Sequence, residues 1–224
     1  MKINVPLFAG LVAVCFFLII SYQKVKKTKS ITKQFETVKI HEANLQSGDV
    51  LLCNDHRGMG PVFGFFLGSI VNHVGIVYRN PTTNHIYILE MMIAGIRMIP
   101  LYAFLKYYKG NIYARKLSPC VTSQQQKKFD DYLRKHWVDK YDYGMISHVF
   151  NRMTISSFLP VKSSNPYEHH TCAQFIFKIL QEVGVLIDNE EYKIETLPQD
   201  FMTCKQKLPL EKGYSFGPEI HIIL

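Results

Sequence analysis

The chain has few cysteines, and no two of them are close together. Five cysteines are spread over 224 residues, at positions 15, 53, 120, 172 and 204. A redox site of the CxxC type is therefore excluded, and a disulfide framework would be unusual in a body of this size. Internal repeats and low-complexity tracts are also lacking. This cysteine usage is typical of a reducing compartment.

Beyond its first 40 residues the chain has almost no net charge. The formal net charge is +8, but residues 1–40 hold seven lysines and a single acid, Glu36. The remainder holds 19 basic and 17 acidic residues, and it contains no zinc finger, RNA-recognition signature or basic stripe. Nucleic acid is therefore not an expected partner. The early lysines suit the anionic headgroups of a membrane.

A hydrophobic run near the start predicts a membrane anchor. Val5–Ile20 contains no charged residue, and lysines follow it at positions 24, 26, 27 and 29. With its neighbours the run reaches the roughly 17–25 residues that a spanning helix needs. A signal peptide has its charge mainly before the run, whereas here most of it follows, and no small-x-small cleavage site precedes the lysines. We expect a single-pass anchor over residues 1–22, with the lysine-rich side in the cytoplasm.

The rest of the chain predicts one domain behind a polar stalk. Residues 23–44 form the basic stalk, and residues 45–224 suffice for one core. Apolar runs bounded by turn residues predict the strands Val50–Cys53, His73–Tyr78 and His85–Glu90.

Helical patterns follow these strands. Leu101–Tyr108 is predicted to be a short amphipathic helix, and Met91–Pro100 before it to be irregular or extended. Apolar residues at helical spacing predict a helix over Gln124–Val138, where Ser123 and Gln126 have the spacing of a capping box. Short strands with helices segregated from them define an α+β fold.

The loop between two predicted strands suggests a register. If Arg79–Asn84 closes the hairpin symmetrically, His73 lies opposite Glu90 and Gly75 opposite Ile88. Directly opposed residues share a face, with Cβ atoms about 4.5–5.5 Å apart. The register therefore predicts a carboxylate beside an imidazole, and a slip of one residue would separate the two groups.

The segment after Thr171 has the clearest helical signals. Thr171 and Gln174 have capping-box spacing, so Thr171 is the predicted N-cap and Cys172 the first helical residue. Gly184 is the predicted C-terminal cap. The N–H groups and the positive dipole at a helix start stabilise thiolates and can hold an oxyanion.

These residues favour a cysteine–histidine acyl-transfer site. Cys172 is the candidate nucleophile, His73 the candidate general base and Glu90 the group that orients the imidazole. Each also has a structural interpretation: free cysteines are often buried, a histidine in an apolar strand is often a satisfied core residue, and Glu90 could face solvent at a strand end.

Two other interpretations stay open. The pairs Cys53/His56 and His169/Cys172 each separate a cysteine and a histidine by two residues, which is zinc-ligand spacing, although the pairs lie far apart in the sequence. Alternatively, a binding module without turnover would hold a lipid or a peptide in the same cleft.

The order of five short segments resembles the circularly permuted branch of the NlpC-like, papain-fold superfamily. The segments are Gly48-Asp49-Val50-Leu51, His73-Val-Gly-Ile76, Glu90, Tyr141-Asp142 and Cys172-Ala-Gln-Phe175. This branch includes YiiX/YebB-like bacterial proteins and relatives in large DNA viruses, with lecithin:retinol acyltransferase as a more distant cousin. In this branch the histidine strand precedes the cysteine, the reverse of ordinary papain-like enzymes. The likeness covers roughly residues 45–190.

The resemblance implies a fold and an activity. The fold would be a small antiparallel sheet packed on the cysteine helix, with Cys172 as nucleophile, His73 as base and Glu90 as the third polar residue. The implied reaction is hydrolysis or transfer at an amide or ester bond of a peptide or lipid, without a cofactor. The anchor and the stalk are additions to the family pattern, and the loop over residues 145–170 does not align with it.

Overall fold

The computed structural model describes eleven parts of the chain, at residues 19–20, 22–23, 26, 35–41, 43–56, 69–92, 94–137, 140–141, 169–188, 196–203 and 208–224. Most of the predicted anchor (1–22), half of the predicted stalk (23–44) and residues 142–168 lie outside them. No helix in the described parts has the length and hydropathy that a membrane crossing requires.

The described residues form strands and helices in an α+β arrangement. The strands are β1 (Glu36–Lys39), β2 (Val50–Asp55), β3 (His73–Arg79), β4 (Ile86–Met92), β5 (Gly95–Pro100), β6 (Gly110–Ser118), β7 (Lys140–Tyr141), β8 (His169–His170) and β9 (Ser215–Ile223). The helices are α1 (Leu101–Tyr107), α2 (Ser123–His136), α3 (Cys172–Glu182) and a 3-10 turn (Pro198–Phe201).

Seven of the described strands form one sheet in the order β1-β9-β6-β2-β3-β4-β5. Neighbouring strands are antiparallel except β1 and β9, which are parallel. Strands β7 and β8 form a separate parallel pair. The predicted α+β class is confirmed, and the sheet is mixed and larger than the small antiparallel sheet that the resemblance implied.

Both faces of the sheet are covered, because alternate residues of each strand point to opposite sides. On one face α3 packs against β3 and β4 and contacts α2. The buried residues on that face include Val74, Ile76, Leu89, Phe129, Phe175 and Ile176. On the other face α1 is packed, and the buried residues include Leu51, Cys53, Val77, Ile88, Phe104 and Leu105.

Most predicted elements lie where the patterns put them, with small changes of boundary. The segment predicted as irregular or extended, Met91–Pro100, belongs mainly to strands in its described part: β4 continues to Met92, and β5 pairs with it from Gly95, which has a φ of +110°. The capping box predicted on Ser123 and Gln126 is wrong by one residue. Thr122 is the N-cap of α2, and its hydroxyl accepts from the Gln125 amide at 3.3 Å, because Thr122 has the extended backbone that an N-cap requires.

The β3–β4 hairpin has a register two residues away from the predicted one. The observed partners are Ile76–Leu89, Val77–Ile88, Tyr78–Tyr87 and Arg79–Ile86. The prediction that His73 lies directly opposite Glu90 is therefore wrong, and the ladder ends before it reaches either residue. A shift by an even number preserves the alternation of faces, which still favours one face for both side chains.

The loop explains the shift. The N–H of Asn80 donates to the His85 carbonyl, and the N–H of Asn84 donates to the Asn80 carbonyl, each over 2.8 Å. The Asn80 side-chain oxygen also accepts from the amides of Thr82 and Thr83. Asn84 has a φ of +61°, a conformation that asparagine tolerates. These bonds close a six-residue connection over residues 80–85, one position later than the predicted loop over residues 79–84, which moves the register by two residues.

Candidate active site

Cys172 is held at the start of α3 by a complete capping box. The Thr171 hydroxyl accepts from the Gln174 amide at 3.2 Å, and the Gln174 side-chain oxygen accepts from the Thr171 amide at 2.9 Å. The helix ends as predicted near Gly184, which has a φ of +76°. Cys172 is only 4% exposed and belongs to the core cluster between α3 and the sheet. The predicted N-cap and first helical residue are confirmed.

His73 is the first residue of β3, and it contacts both other candidates. Its backbone is the register partner of Cys53 in β2. Its Nε2 atom lies 2.7 Å from Oε2 of Glu90, and its side chain is 15% exposed. The ring also lies close to the Cys172 side chain, whose charge and hydrogen bonding raise the pKa of His73. The structure thus brings Cys172, His73 and Glu90 into one connected group.

Glu90 is almost fully buried, with its side chain 1% exposed, and each of its oxygens has a cationic or ring partner. Oε2 meets His73, whereas Oε1 accepts from Nε of Arg97 at 2.8 Å and also from Nη2. Arg97 lies in β5 as the direct register partner of Glu90. The alternative in which Glu90 faces solvent is wrong, because its carboxylate is buried and each of its oxygens has a partner on a neighbouring strand.

The charges of these groups support one another. Burial alone would lower the pKa of His73, but the charge and hydrogen bond of Cys172, and then those of Glu90, outweigh burial and raise the pKa to about 10. Burial would raise the pKa of Glu90, but the hydrogen bond and charge of His73, followed by those of Arg97, hold it below its ordinary value. The contacts of His73 with Cys172 and with the buried Glu90 carboxylate therefore favour the charged, imidazolium form of its ring.

The structure does not assemble the predicted zinc ligands. Cys53 and Cys172 belong to core clusters on opposite faces of the sheet, and the Cys53 thiol contacts the carbonyl of Leu51. His56 is exposed, and the side chain of His169 lies outside the described set. Among the described side chains no group of three or more His, Cys, Asp or Glu could hold a metal ion.

The Gly48-Asp49 segment has a structural role. The Asp49 carboxylate is buried and accepts from the amides of Gln46 at 2.8 Å and Leu117 at 2.9 Å. Gly48 has a φ of +92°, and a Cβ there would lie 2.7 Å from a methyl group of Val121.

The Tyr141-Asp142 segment lies outside the described side chains. Arg97 was not predicted, because no short-range signal in the sequence sets the β4–β5 register that places it opposite Glu90.

Comparison with known proteins identifies the class. Residues 44–208 match the family of permuted papain-like amidase enzymes, YaeF/YiiX, C92 family. Because this match spans more than half of the chain, the protein belongs to that family. It is therefore a thiol hydrolase of the papain-like amidase class, and the recognition of a circularly permuted papain-like family is confirmed.

One solved structure that the chain matches is that of the metalloprotein YiiX from Escherichia coli O157:H7. The sequences are 14% identical and the TM-score is 0.49, with 78% of this chain and 97% of that chain covered. No curated protein matches the chain.

Proposed function

We propose that the protein is a membrane-anchored cysteine hydrolase that cleaves an amide or ester bond with Cys172 as nucleophile, His73 as general base and acid, and Glu90 as the orienting carboxylate. The observation that supports this assignment is that the His73 ring lies 2.7 Å from the buried Glu90 carboxylate and is also close enough to the Cys172 side chain for that side chain to raise its pKa. Family membership supports the reaction class.

The reaction follows from these positions. The thiolate of Cys172 attacks the carbonyl carbon, and N–H groups in the first turn of α3 hold the oxyanion. His73 gives its proton to the leaving amine or alcohol, and the carbon–leaving-group bond breaks to leave a thioester on Cys172. Water then gives a proton to His73 and attacks the thioester. The second tetrahedral intermediate collapses, releasing the acid and restoring the thiolate–imidazolium pair.

The substrate class is a peptide or lipid that carries an acyl group. A peptide suits an amidase family, and an acyl acceptor other than water would turn the same thioester intermediate into an acyltransferase product. In a binding module without turnover the thioester would not form. The intact mass of the protein after incubation with activated esters and amides separates these outcomes.

That experiment compares the wild-type chain with three variants. An acyl adduct on Cys172 is expected for the wild type, and it should be lost in Cys172→Ala and accumulate more slowly in His73→Ala. Cys120→Ser serves as the matched thiol control, because Cys120 is free and exposed and should not affect the adduct. If wild type and Cys172→Ala gain the same adduct, the assignment of the nucleophile is wrong.

We further propose that residues 1–22 anchor the domain to a membrane, with the lysine-rich stalk beside anionic headgroups. The support is the uncharged run Val5–Ile20 and the lysines after it. The full chain should float with lipid vesicles and resist alkaline carbonate extraction, whereas a chain that starts at residue 23 should not. Flotation of both forms to the same extent would contradict the anchor.

A further inference from the structure

Arg97 completes a line of charged contacts that crosses three neighbouring strands. His73 in β3 meets one oxygen of Glu90 in β4, and Arg97 in β5 meets the other. Both Nε and Nη2 of Arg97 donate to Oε1, so the guanidinium holds that oxygen with two donors. The outer end of the line reaches solvent, because the Arg97 side chain is 45% exposed whereas that of Glu90 is 1% exposed.

A carboxylate this deeply buried requires partners in its ionised form. Of its two partners, only Arg97 is always charged, since a guanidinium does not lose its proton in proteins. His73 exchanges its proton in every cycle of the proposed reaction. Without Arg97 the carboxylate would face a partner that is neutral for part of the cycle, and one of its oxygens would have lost both donors.

We propose that Arg97 is a positioning residue of this site: it fixes the Glu90 carboxylate so that Glu90 holds the His73 ring toward the Cys172 sulfur. This inference rests on the proposed thiol-hydrolase function. Arg97 acts through Glu90 and makes no contact with the reacting atoms. Its effect should therefore appear in the rate and pH dependence of the chemical step, with little change in substrate affinity.

The geometry makes arginine better suited than lysine at this position. The two donors of the guanidinium reach one carboxylate oxygen from neighbouring positions on a planar group, and an ammonium cannot reproduce that fork. Arg97→Lys retains the charge and loses the geometry, so its rate should lie between those of the wild type and Arg97→Ala. The exposed site of Arg97 also allows added guanidinium ion to enter the space left in Arg97→Ala.

The test measures the rate at which iodoacetamide alkylates Cys172 in the full chain, by mass spectrometry, across a pH series. Arg97→Ala should react about 10- to 100-fold more slowly than wild type, as expected for the loss of hydrogen bonds to a charged group. Its pH profile should shift, and millimolar, non-denaturing guanidinium should restore part of the rate. Arg134→Ala is the matched control: Arg134 pairs with Asp131 on the exposed face of α2, and its loss should leave the rate and profile unchanged.

The outcomes separate this inference from the function on which it rests. If wild-type Cys172 is unreactive, the proposed function fails. If wild type reacts, His73→Ala is slow, and Arg97→Ala keeps the wild-type rate and profile, only the role of Arg97 is wrong. If Arg97→Ala fails to fold, the folded variant Arg97→Lys tests the role of Arg97 instead. A wild-type alkylation rate and pH profile in Arg97→Lys would contradict the need for the two guanidinium donors, and an intermediate rate would support it.

Discussion

His73 and Glu90 are joined by a contact of 2.7 Å between Nε2 and Oε2, although β3 and β4 are not paired with each other at either residue. The β3–β4 ladder stops at Ile76 and Leu89, and the side chains bridge the strands beyond that point. A buried polar pair therefore takes the place of the backbone ladder at the end of the hairpin that is nearest to Cys172. The same side-chain contact therefore belongs both to the packing of the hairpin and to the proposed catalytic site.

The protonation of His73 can be measured directly. Because Cys172 and Glu90 stabilise the imidazolium, the His73 pKa is expected near 10 in the folded protein, compared with about 6.5 for an ordinary histidine. An NMR titration of the ring protons should therefore show a charged ring throughout the neutral range. Cys172→Ala and Glu90→Gln should each move the midpoint toward lower pH. A wild-type midpoint close to that of an ordinary histidine would contradict the proposed pairing.

Glu90→Gln should reduce both activity and stability at neutral pH. The variant keeps the shape of the side chain but leaves Arg97 and His73 without their shared carboxylate, a loss of about 1.5–3 kcal/mol for each hydrogen bond to a charged group. Hydrolysis and Cys172 alkylation should therefore slow by at least about tenfold.

The pH dependence of that stability difference has a definite sign. The pKa of Glu90 is lower in the folded protein than its ordinary value of 4.5. Its stabilising contribution is therefore present above about pH 4.5 and is lost as the pH falls through the folded pKa. The difference in unfolding free energy between wild type and Glu90→Gln, measured with denaturant, should shrink in acid. A difference that grows in acid would mean that the carboxylate is not stabilised in its charged form.

The two capping boxes provide a matched pair for the role of the α3 terminus. Thr171 caps α3 beside the sulfur, and Thr122 caps α2 in the same way at an exposed site. Replacing either threonine with alanine should lower the unfolding free energy by about 0.5–2 kcal/mol. Only Thr171→Ala should also slow the alkylation of Cys172, because only that change loosens the turn that presents the thiol. Equal alkylation rates for both variants would show that the Thr171 cap does not affect the reactivity of Cys172.

Gly75 lies two residues after His73, and the structure leaves little room for a side chain there. A Cβ at Gly75 would lie 3.0 Å from a methyl group of Ile88 and 3.2 Å from the Leu89 carbonyl oxygen. Gly75→Ala should therefore lower the unfolding free energy by about 1–3 kcal/mol, as overpacking does. Gly217→Ala is the control: its Cβ would meet only the Lys116 carbonyl at 3.7 Å, so a change within about 0.5 kcal/mol is expected. Thermal unfolding compares the two.

The local signals in the sequence predicted the three helices and the strands β2, β3 and β4 closely, but not the other described strands. Thr171 and Gln174 marked the start of α3 correctly, because a capping box is a contact between residues three positions apart. The hairpin register was missed because it depends on how Asn80 and Asn84 bond within the loop. The predicted register was wrong by two residues, and an even shift leaves His73 and Glu90 on the same face of the sheet. The contact between their side chains was therefore predicted correctly, although the backbone register was not.

Contacts between distant segments could not be predicted. Strand β9 pairs with β6 on one side and with β1 on the other, which joins residues near both ends of the described chain. No local pattern specifies such partners. Arg97 was missed for a related reason: its meaning depends on a β4–β5 register that no short-range signal determined, and an arginine in a strand is usually a solvent-facing residue.

The most direct test of the activated thiol is a competition between two cysteines of one molecule. Cys172 is 4% exposed, whereas Cys120 is exposed, so accessibility alone favours alkylation of Cys120. If His73 and the α3 terminus activate the Cys172 thiol as proposed, that order should reverse near neutral pH. Peptide mass spectrometry after brief iodoacetamide treatment should find Cys172 modified first in wild type and Cys120 first in His73→Ala. If Cys120 is modified first in both proteins, Cys172 is not the activated nucleophile.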